Sequence, residues 1–152
     1  MASALRRAGL KVTPQRLSIV TALAHDDTHP TAQELFERLR GSVPAVSFAT
    51  VYNTLDALAR VGLMSVLRLG GPARFDPNTQ PHHHAVCDGC GAVVDLPVPS
   101  LAPSAEAEAV VRAAAPGFVV ARDERTFRGL CARCHARQAE TRPGEGRRTK
   151  SP

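Results

Sequence analysis

Two pairs of cysteines have the spacing that carries the most chemical information. Cys87 and Cys90 form one Cys-x-x-Cys knuckle, Cys131 and Cys134 form a second, and the chain has four cysteines in all. The two-residue spacing lets both thiolates of a knuckle face one ion, and four thiolates in a closed tetrahedral site suit structural Zn²⁺. A thioredoxin-type redox pair and inert buried thiols are the alternatives. A redox pair needs a knuckle at a helix N-terminus in a thioredoxin-like fold, which neither segment suggests.

A second set of residues combines imidazoles with carboxylates. Three consecutive histidines, 82–84, precede the first knuckle, and in an extended strand His82 and His84 point to the same side. Asp76 lies six residues before them, and Asp95 is in the next strand-like run. Imidazole and carboxylate donors suit Fe²⁺ or Mn²⁺. Surface histidines and unrelated aspartates remain the alternative.

One predicted helix, residues 47–61, has an outer face suited to reading DNA. At 100° per residue its core face separates from its outer face. The core face consists of Phe48, Val51, Leu55 and Leu58. The outer face consists of Ala49, Thr50 and Asn53, with Tyr52 on the flank. Asn pairs with adenine edges, and the methyl groups of Ala and Thr suit thymine. The basic residues available for phosphate contacts are Arg7, Lys11, Arg16 and Arg60. An ordinary solvated helix face is the alternative.

The first half of the chain is predicted to position that helix within a winged helix-turn-helix. Two helices begin after the N-caps Thr13 and Thr31, of which Thr31 belongs to a capping box, and a third helix is predicted to start near Ser47. Two extended runs, 63–69 and 73–76, flank Gly-Gly and predict a β-hairpin. Helix, turn, helix and hairpin follow one another in the order of a winged helix-turn-helix domain.

The second half is predicted to be a small α/β unit. Short strand-like runs occur at 85–87 and 92–96, and an Ala/Glu-rich helix is predicted at 105–115. Two more strands are expected at 118–121 and 125–128, before the second knuckle. From residue 141 the chain consists of polar, Gly and Pro residues with nothing to bury, so the tail is predicted to be disordered.

The composition is that of a globular protein with a basic balance. The 152 residues are 43% hydrophobic and include 19 Lys or Arg against 14 Asp or Glu, a net charge of +5. Four of those basic residues and one acidic residue follow residue 140, so the overall charge argues little for DNA binding. No apolar run is long enough to span a membrane, and the N-terminus lacks the apolar core of a signal peptide. We therefore expect a cytoplasmic protein.

Several segments together resemble the ferric uptake regulator family of metal-dependent bacterial repressors. The segments that carry the resemblance are Gly9–Arg16, His29–Ala32, Ala49–Leu55, Arg74–Asp76, His82–Gly91 and Cys131–Cys134. The resemblance implies an α+β fold. Its parts would be a winged-helix DNA-binding domain (1–78), a hinge (79–83), an α/β dimerisation and metal-binding domain (84–140) and a disordered basic tail (141–152). It also implies a homodimer that binds an inverted-repeat DNA operator.

The resemblance assigns ligands to two metal ions. Structural Zn²⁺ would be bound by Cys87, Cys90, Cys131 and Cys134. Regulatory Fe²⁺ or Mn²⁺ would be bound by His29, Asp76, His82, His84 and Asp95. By its position alone, His29 would be an ordinary loop residue ahead of a capping box. The corresponding DNA-binding residues are Lys11, Arg16, Ala49, Thr50, Tyr52 and Asn53.

Within the family, the chain is most similar to the peroxide-sensing branch. Aspartate at both carboxylate positions, Asp76 and Asp95, is typical of that branch, and so is Asn53. The resemblance implies that bound Fe²⁺ reacts with peroxide and that His29 and His82 are oxidised to 2-oxo-histidine. A repressor that responds to iron, manganese, zinc or nickel without sensing peroxide is the alternative. No histidine lies between His84 and the last knuckle, so the additional metal site of some family members is incomplete here and a metal role for His83 is not indicated.

Other classes of protein fit the sequence less well. A zinc hydrolase needs an open coordination position, and a zinc deaminase needs a His-x-Glu ahead of its Cys-x-x-Cys. A metal-storage protein would have no use for a helix-turn-helix. A purely structural DNA-binding protein would bind DNA regardless of metal. We therefore expect a regulator and not an enzyme.

Overall fold

The computed structural model describes residues 1–24 and 26–141, and they divide into two compact units. Unit 1 runs from Met1 to Pro81, and unit 2 begins at His82. The predicted hinge at 79–83 overlaps this division, but its last two residues already belong to the first strand of unit 2.

The described residues of unit 1 form four helices. They are α1 (Ala2–Arg7), α2 (Pro14–Leu23), α3 (Ala32–Leu39) and α4 (Phe48–Arg60). The sequence predicts α2, α3 and α4 but not α1, which has only six residues and buries a single side chain, Leu5. A helix that short cannot display a hydrophobic period.

Side-chain caps start the three predicted helices, as expected at Thr13 and Thr31 and in addition at Ser47. The N–H of Arg16 donates to Thr13 Oγ1 at 3.3 Å, and the N–H of Thr50 donates to Ser47 Oγ at 3.1 Å. At α3 the capping box is complete, since Glu34 N–H donates to Thr31 Oγ1 and Thr31 N–H donates to Glu34 Oε2. These bonds satisfy N–H groups that have no partner inside the helix.

A hairpin follows α4 and completes the helix and hairpin order of the winged motif. Its strands are β1 (Ser65–Leu67) and β2 (Arg74–Asp76), which pair antiparallel. Gly62 follows α4 with φ of +70°, a left-handed conformation that glycine adopts without strain. The predicted hairpin is confirmed.

The core of unit 1 is built from the apolar faces of these elements. Its fully buried members include Ile19 of α2, Leu35 of α3, and Val51 and Leu55 of α4. Phe48 was assigned to the same face, but it is 43% exposed. Phe48 is the first residue of α4, where its ring contacts Phe36 of α3 but is not enclosed by the core.

Residues 82–141, the described part of unit 2, form a three-stranded sheet and two helices. Its elements are β3 (His82–Cys87), β4 (Val93–Pro97), α5 (Ala105–Ala114), β5 (Thr126–Gly129) and α6 (Ala132–Thr141). The strand order is β4-β3-β5, with β3 antiparallel to β4 and parallel to β5. The central position of β3 places its histidines beside β4 and its last residue, Cys87, beside β5.

Three sequence expectations for unit 2 need correction. The run 118–121 is not a strand, and Val119 is 86% exposed, because no described strand pairs with it and a strand needs a partner for its main-chain groups. Helix α6 was not predicted, since Cys134 is its only buried residue and it therefore has no apolar stripe. The predicted tail starts one residue early, because Thr141 ends α6; the rest, 142–152, lies outside the described residues.

Candidate metal centres and nucleic-acid interface

The four cysteine sulfur atoms of unit 2 converge as their spacing predicts. All four lie within 4.8 Å of one another, and the Sγ atoms of Cys90 and Cys131 are 3.9 Å apart. None of the four is in a disulfide. Sulfurs about 2.3 Å from one tetrahedral ion lie about 3.8 Å apart, so this donor set fits Zn²⁺.

Strand pairing brings together the two knuckles, which are far apart in the sequence. The first knuckle follows β3, and the second follows β5, which runs parallel to β3 with Cys87 opposite Gly129. The N–H of Asp88 donates to the Gly129 carbonyl at 2.7 Å, and the N–H of Cys131 donates to Cys87 Sγ at 3.2 Å. The second knuckle does open a helix, α6, contrary to expectation. Its thiols nevertheless face the first knuckle, which favours a shared ion over a separate redox pair.

The first knuckle turns at Gly89 because a side chain would not fit there. A Cβ atom at this position would lie 2.9 Å from Cys134 Cβ, 3.0 Å from Cys134 Sγ and 3.2 Å from a methyl carbon of Leu130. The glycine therefore allows the two knuckles to approach closely enough to share one ion.

Hydrogen bonds to Cys87 and Cys90 favour the thiolate form that binds metal, whereas burial and the neighbouring thiols raise the pKa of Cys134. The N–H of Cys131, with further N–H groups of the first knuckle, lowers the pKa of Cys87 to about 6 despite the opposing effect of burial. The pKa of Cys90 is lowered chiefly by the N–H of Ala92. N–H donors stabilise the charged sulfur, so these two thiols lose their protons readily.

A second donor cluster in unit 2 combines two imidazoles with one carboxylate. His82 and His84 lie on the same buried side of β3, and their Nε2 atoms are 3.0 Å apart. Asp95 lies opposite His84 on β4, and its Oδ1 is 3.7 Å from His82 Nε2 and 3.9 Å from His84 Nε2. Two nitrogens each about 2.1 Å from one ion at a right angle lie about 3.0 Å apart, so the imidazoles suit adjacent positions on a metal.

His83 lies on the other side of β3, as the alternation of a strand requires. Its Nδ1 accepts a hydrogen bond from the N–H of Arg125 at 3.4 Å, and its ring lies 6.1 Å from that of Phe127. These contacts are therefore with β5 and the residue before it, on the side of β3 opposite to His82 and His84.

Unit 1 contains a buried pair of the same donor types. His29 and Asp76 are each only 1% exposed, and His29 Nε2 lies 3.8 Å from Asp76 Oδ1. Asp76 ends β2, where its Oδ1 also accepts the N–H of Asn78 at 2.7 Å. His29 is in a loop, as its position in the sequence suggests, but its imidazole is buried against a carboxylate. Only the family resemblance pointed to this, since a single histidine has no spacing to interpret.

The candidate DNA-reading face of α4 is accessible in unit 1. Ala49, Tyr52 and Asn53 are exposed, Tyr52 by 48%, while Thr50 is partly buried. The exposed ring of Phe48 lies 6.3 Å from that of Tyr52 and meets Phe36 edge-to-face at 6.1 Å. Phe48 was missed as a surface residue because the helical period places it with the core.

The two basic residues predicted to contact DNA differ in their surroundings. Lys11 is exposed in the loop between α1 and α2. Arg16, on α2, is partly buried and donates from Nη1 to the carbonyl of Lys11 at 3.0 Å. Arg16 therefore also holds the backbone of the loop that carries Lys11.

A charged cluster at the start of α5 was not anticipated from the sequence. Arg125 donates to Asp123 Oδ2 at 2.7 Å and to Ser104 Oγ at 3.0 Å, and Ser104 is the N-cap of α5. The hydrogen bonds from Arg125 hold the pKa of Asp123 at about 2, well below its usual value. This cluster ties the start of α5 to the segment before β5.

Comparison with known proteins identifies the family. A model of the family described as the ferric uptake regulator family matches residues 7–114, more than half of the chain. The chain belongs to the ferric uptake regulator family. The resemblance seen in the sequence is therefore confirmed, and members of this family are DNA-binding transcription regulators.

The relatives agree with this assignment. The peroxide-responsive repressor PerR of Staphylococcus aureus is 41% identical over 100 residues, which cover 65% of this chain and 68% of PerR. The Vibrio cholerae ferric uptake regulator structure is 30% identical, with a TM-score of 0.65, over 86% of this chain and 98% of that one. The Pseudomonas aeruginosa ferric uptake regulator, solved with manganese, is 28% identical, with a TM-score of 0.59, over 86% and 96% of the two chains.

The predicted fold class is confirmed by these structures. The family fold is an N-terminal DNA-binding domain followed by a C-terminal dimerisation domain, with mixed helix and sheet. Among residues 1–24 and 26–141, no helix is long and apolar enough to cross a membrane.

Proposed function

We propose that this chain is a homodimeric, metal-dependent transcriptional repressor that senses peroxide through histidine oxidation. The observation that supports this most is the presence of two chemically different donor sets. One consists of four thiols in unit 2, and the other donors are imidazoles and carboxylates, which form a buried pair in unit 1 and a separate cluster in unit 2. Thiolates select structural zinc, whereas imidazole and carboxylate donors suit Fe²⁺ or Mn²⁺.

The thiolate set is proposed to hold a structural Zn²⁺. Cys87, Cys90, Cys131 and Cys134 provide four donors, which is the full coordination of a tetrahedral ion. No position is then left for a substrate or a reactive water. This is why we propose a structural role in unit 2 and no enzymatic activity.

The oxygen and nitrogen donors are proposed to bind one regulatory ion. His29 and Asp76 of unit 1 and His82, His84 and Asp95 of unit 2 are the proposed ligands of Fe²⁺ or Mn²⁺. The two carboxylates supply negative charge, and the imidazoles supply neutral nitrogen donors. Because ligands would come from both units, binding would favour one arrangement of the DNA-binding domains by differential affinity.

Peroxide sensing is the proposed role of this donor set when it binds Fe²⁺. Fe²⁺ held by these residues would promote cleavage of the O–O bond of hydrogen peroxide, and it would give no net electron, because the imidazole supplies both electrons. In the overall reaction one peroxide oxygen is added to an imidazole carbon of His29 or His82, giving 2-oxo-histidine, and the other leaves as water. The damaged ring is a poorer ligand, so the regulatory ion and then the DNA are released. Aspartate at both carboxylate positions and the similarity to a peroxide-responsive repressor support this branch.

The α4 face is proposed to read the operator in the cytoplasm. Asn53 and the methyl groups of Ala49 and Thr50 suit A·T base pairs, Tyr52 lies beside them, and Lys11 and Arg16 are proposed to contact phosphates. A homodimer would present two such helices, and its two-fold symmetry matches an inverted-repeat operator.

Metal sensing without a peroxide response is the second candidate function. The same imidazole and carboxylate donors suit Mn²⁺ as well as Fe²⁺. The family likeness to a ferric uptake regulator solved with manganese favours this candidate. In that case the chain would repress in response to the concentration of the metal ion.

A gel-shift assay of the full chain distinguishes the two candidates. We expect Mn²⁺ or Fe²⁺ to activate operator binding, and peroxide to abolish it only in the Fe²⁺ form. Mass spectrometry should then find one added oxygen in the His29 and His82 peptides. His83 lies on the other side of β3 and is the internal control, which should stay unmodified. If the Fe²⁺ form stays bound and gains no oxygen, peroxide sensing is wrong and metal sensing replaces it.

A further inference from the structure

Arg74 links the loop that carries His29 to the helix that follows it. The Nη1 group of Arg74 donates to the carbonyl oxygen of His29 at 2.9 Å. The same nitrogen lies 3.3 Å from Oε2 of Glu34, the capping-box residue at the start of α3. A single guanidinium therefore holds both the backbone of His29 and the first turn of α3.

The backbone of His29 needs such support. Its φ is +51°, in the left-handed region that a residue with a Cβ atom adopts only rarely. The following segment is also held against β2, because the N–H of Phe75 donates to the Pro30 carbonyl at 2.9 Å and Thr31 pairs with Arg74 in an antiparallel bridge. A charge-assisted hydrogen bond to the His29 carbonyl fixes the peptide plane at the point where the backbone is least favourable.

The strand β2 presents the clamp and the carboxylate on the same side. Arg74 and Asp76 are two residues apart in a strand, so their side chains point the same way, while Phe75 between them packs in the core. Thus β2 grips the backbone of His29 through Arg74 and sets Asp76 Oδ1 3.8 Å from the imidazole Nε2.

We infer that Arg74 is a positioning residue for the regulatory metal site. It holds His29 in the conformation from which the imidazole binds the ion together with Asp76. The inference rests on the proposed function, because it takes His29 and Asp76 to be ligands. Arg74 is a cation near a cation site, so its charge alone would weaken metal binding. Removing it should therefore strengthen binding if charge dominates and weaken binding if positioning dominates.

The test is a titration of the zinc-loaded full chain with Mn²⁺. The concentration of free Mn²⁺ is measured at each step by electron paramagnetic resonance. We expect Arg74→Ala to weaken Mn²⁺ binding about 10- to 100-fold, the usual effect of removing an outer partner of a metal ligand. Arg74→Lys keeps the charge and one donor direction, and it should bind Mn²⁺ more tightly than Arg74→Ala. Arg40→Ala is the matched control, since it breaks a surface ion pair with Glu37 in the same unit and should leave the affinity unchanged.

A second readout does not depend on the regulatory metal. In the zinc-loaded protein without Mn²⁺, Arg74→Ala should accelerate amide hydrogen exchange at Phe75, whose N–H is bonded to the loop, and Arg40→Ala should not. If circular dichroism shows that Arg74→Ala is unfolded, Arg74→Lys decides in its place, with a loss of about threefold expected because lysine cannot reproduce the guanidinium fork.

The outcomes separate this inference from the proposed function. If His29→Ala loses Mn²⁺ binding but Arg74→Ala binds as tightly as the wild-type protein or more tightly, the positioning role is overturned and the proposed site stands. If Arg74→Ala is unfolded, Mn²⁺ binding by Arg74→Lys that is as tight as in the wild-type protein overturns the positioning role in the same way. If His29→Ala binds Mn²⁺ like wild type, the proposed ligand set is wrong and the inference about Arg74 is overturned with it.

Discussion

His84 lies directly opposite Asp95 in the antiparallel pair of β3 and β4, with its Nε2 3.9 Å from Asp95 Oδ1. The cross-strand register, which brings residues from two strands to one side of the sheet, creates this relationship. His82 joins the cluster because it is two residues from His84 on the same strand. Sheet pairing thus assembles three donors that are spread over fourteen residues of the chain.

The first prediction concerns Asp95. Asp95→Ala removes the carboxylate that lies 3.7 Å from His82 Nε2 and 3.9 Å from His84 Nε2. We expect Mn²⁺ affinity to fall by at least about tenfold and metal-activated operator binding to weaken in parallel. The measurements are a Mn²⁺ titration and a gel shift at fixed metal concentration. His83→Gln is the control, because His83 lies on the other side of the neighbouring strand β3. Equal losses of Mn²⁺ affinity in the two variants would contradict the assignment of Asp95 as a ligand.

The second prediction concerns the approach of the two cysteine knuckles. Gly89→Ala places a Cβ atom 2.9 Å from Cys134 Cβ, so the knuckles must move apart. We expect faster zinc loss to a chelator and a lower melting temperature. Gly129→Ala is the matched control, because a Cβ atom there meets nothing within 4 Å. If zinc release were as slow in Gly89→Ala as in Gly129→Ala, the close approach at Gly89 would not be needed to hold the ion.

The third prediction concerns pH and Asp123. Arg125 holds the pKa of Asp123 at about 2, below the value of 3.8 for an unperturbed aspartate. Ionised Asp123 therefore stabilises the fold above about pH 4, and this contribution is lost as the pH falls towards 2. Asp123→Asn should lower the melting temperature at pH 5 to 6, and its difference from wild type should shrink towards pH 2. Glu124→Gln affects only a surface pair with Arg122 and serves as the control for circular dichroism melts. A constant difference for Asp123→Asn across this range would refute the shift.

The fourth prediction separates base recognition from phosphate contact. Asn53→Ala should weaken binding to the preferred operator by about 1–3 kcal/mol and relax the preference at one base-pair position. Lys11→Ala should weaken binding to all sequences alike and reduce the salt slope by about one. Binding of both variants to operator and to random duplex over a salt series tests this contrast. If Asn53→Ala reduced binding to random duplex as much as to operator, Asn53 would be a non-specific contact.

Much of the architecture could be predicted because its signals are local. The N-caps at Thr13, Thr31 and Ser47 depend on side chains within three residues of the bonds they form, and all three are observed. The hairpin followed in the same way from two short extended runs around Gly-Gly. The errors occur where local signals are weak, as in the six-residue α1, in α6 with its single buried side chain, and in the unpaired run 118–121.

The sequence alone determined the chemistry of the donors and the order of the elements. The two Cys-x-x-Cys knuckles specify a thiolate site, and the alternation of the histidines specifies which of them face the same side of the strand. Both signals depend on spacings of two or three residues. Tertiary structure decided which distant residues meet. The parallel pairing of β3 with β5 joined the knuckles, and the packing of β2 against residues 29–31 buried His29 beside Asp76 and placed Arg74 on its carbonyl. These contacts depend on long-range pairing that no local pattern encodes, because a strand presents the same hydrogen-bonding groups whichever partner it takes.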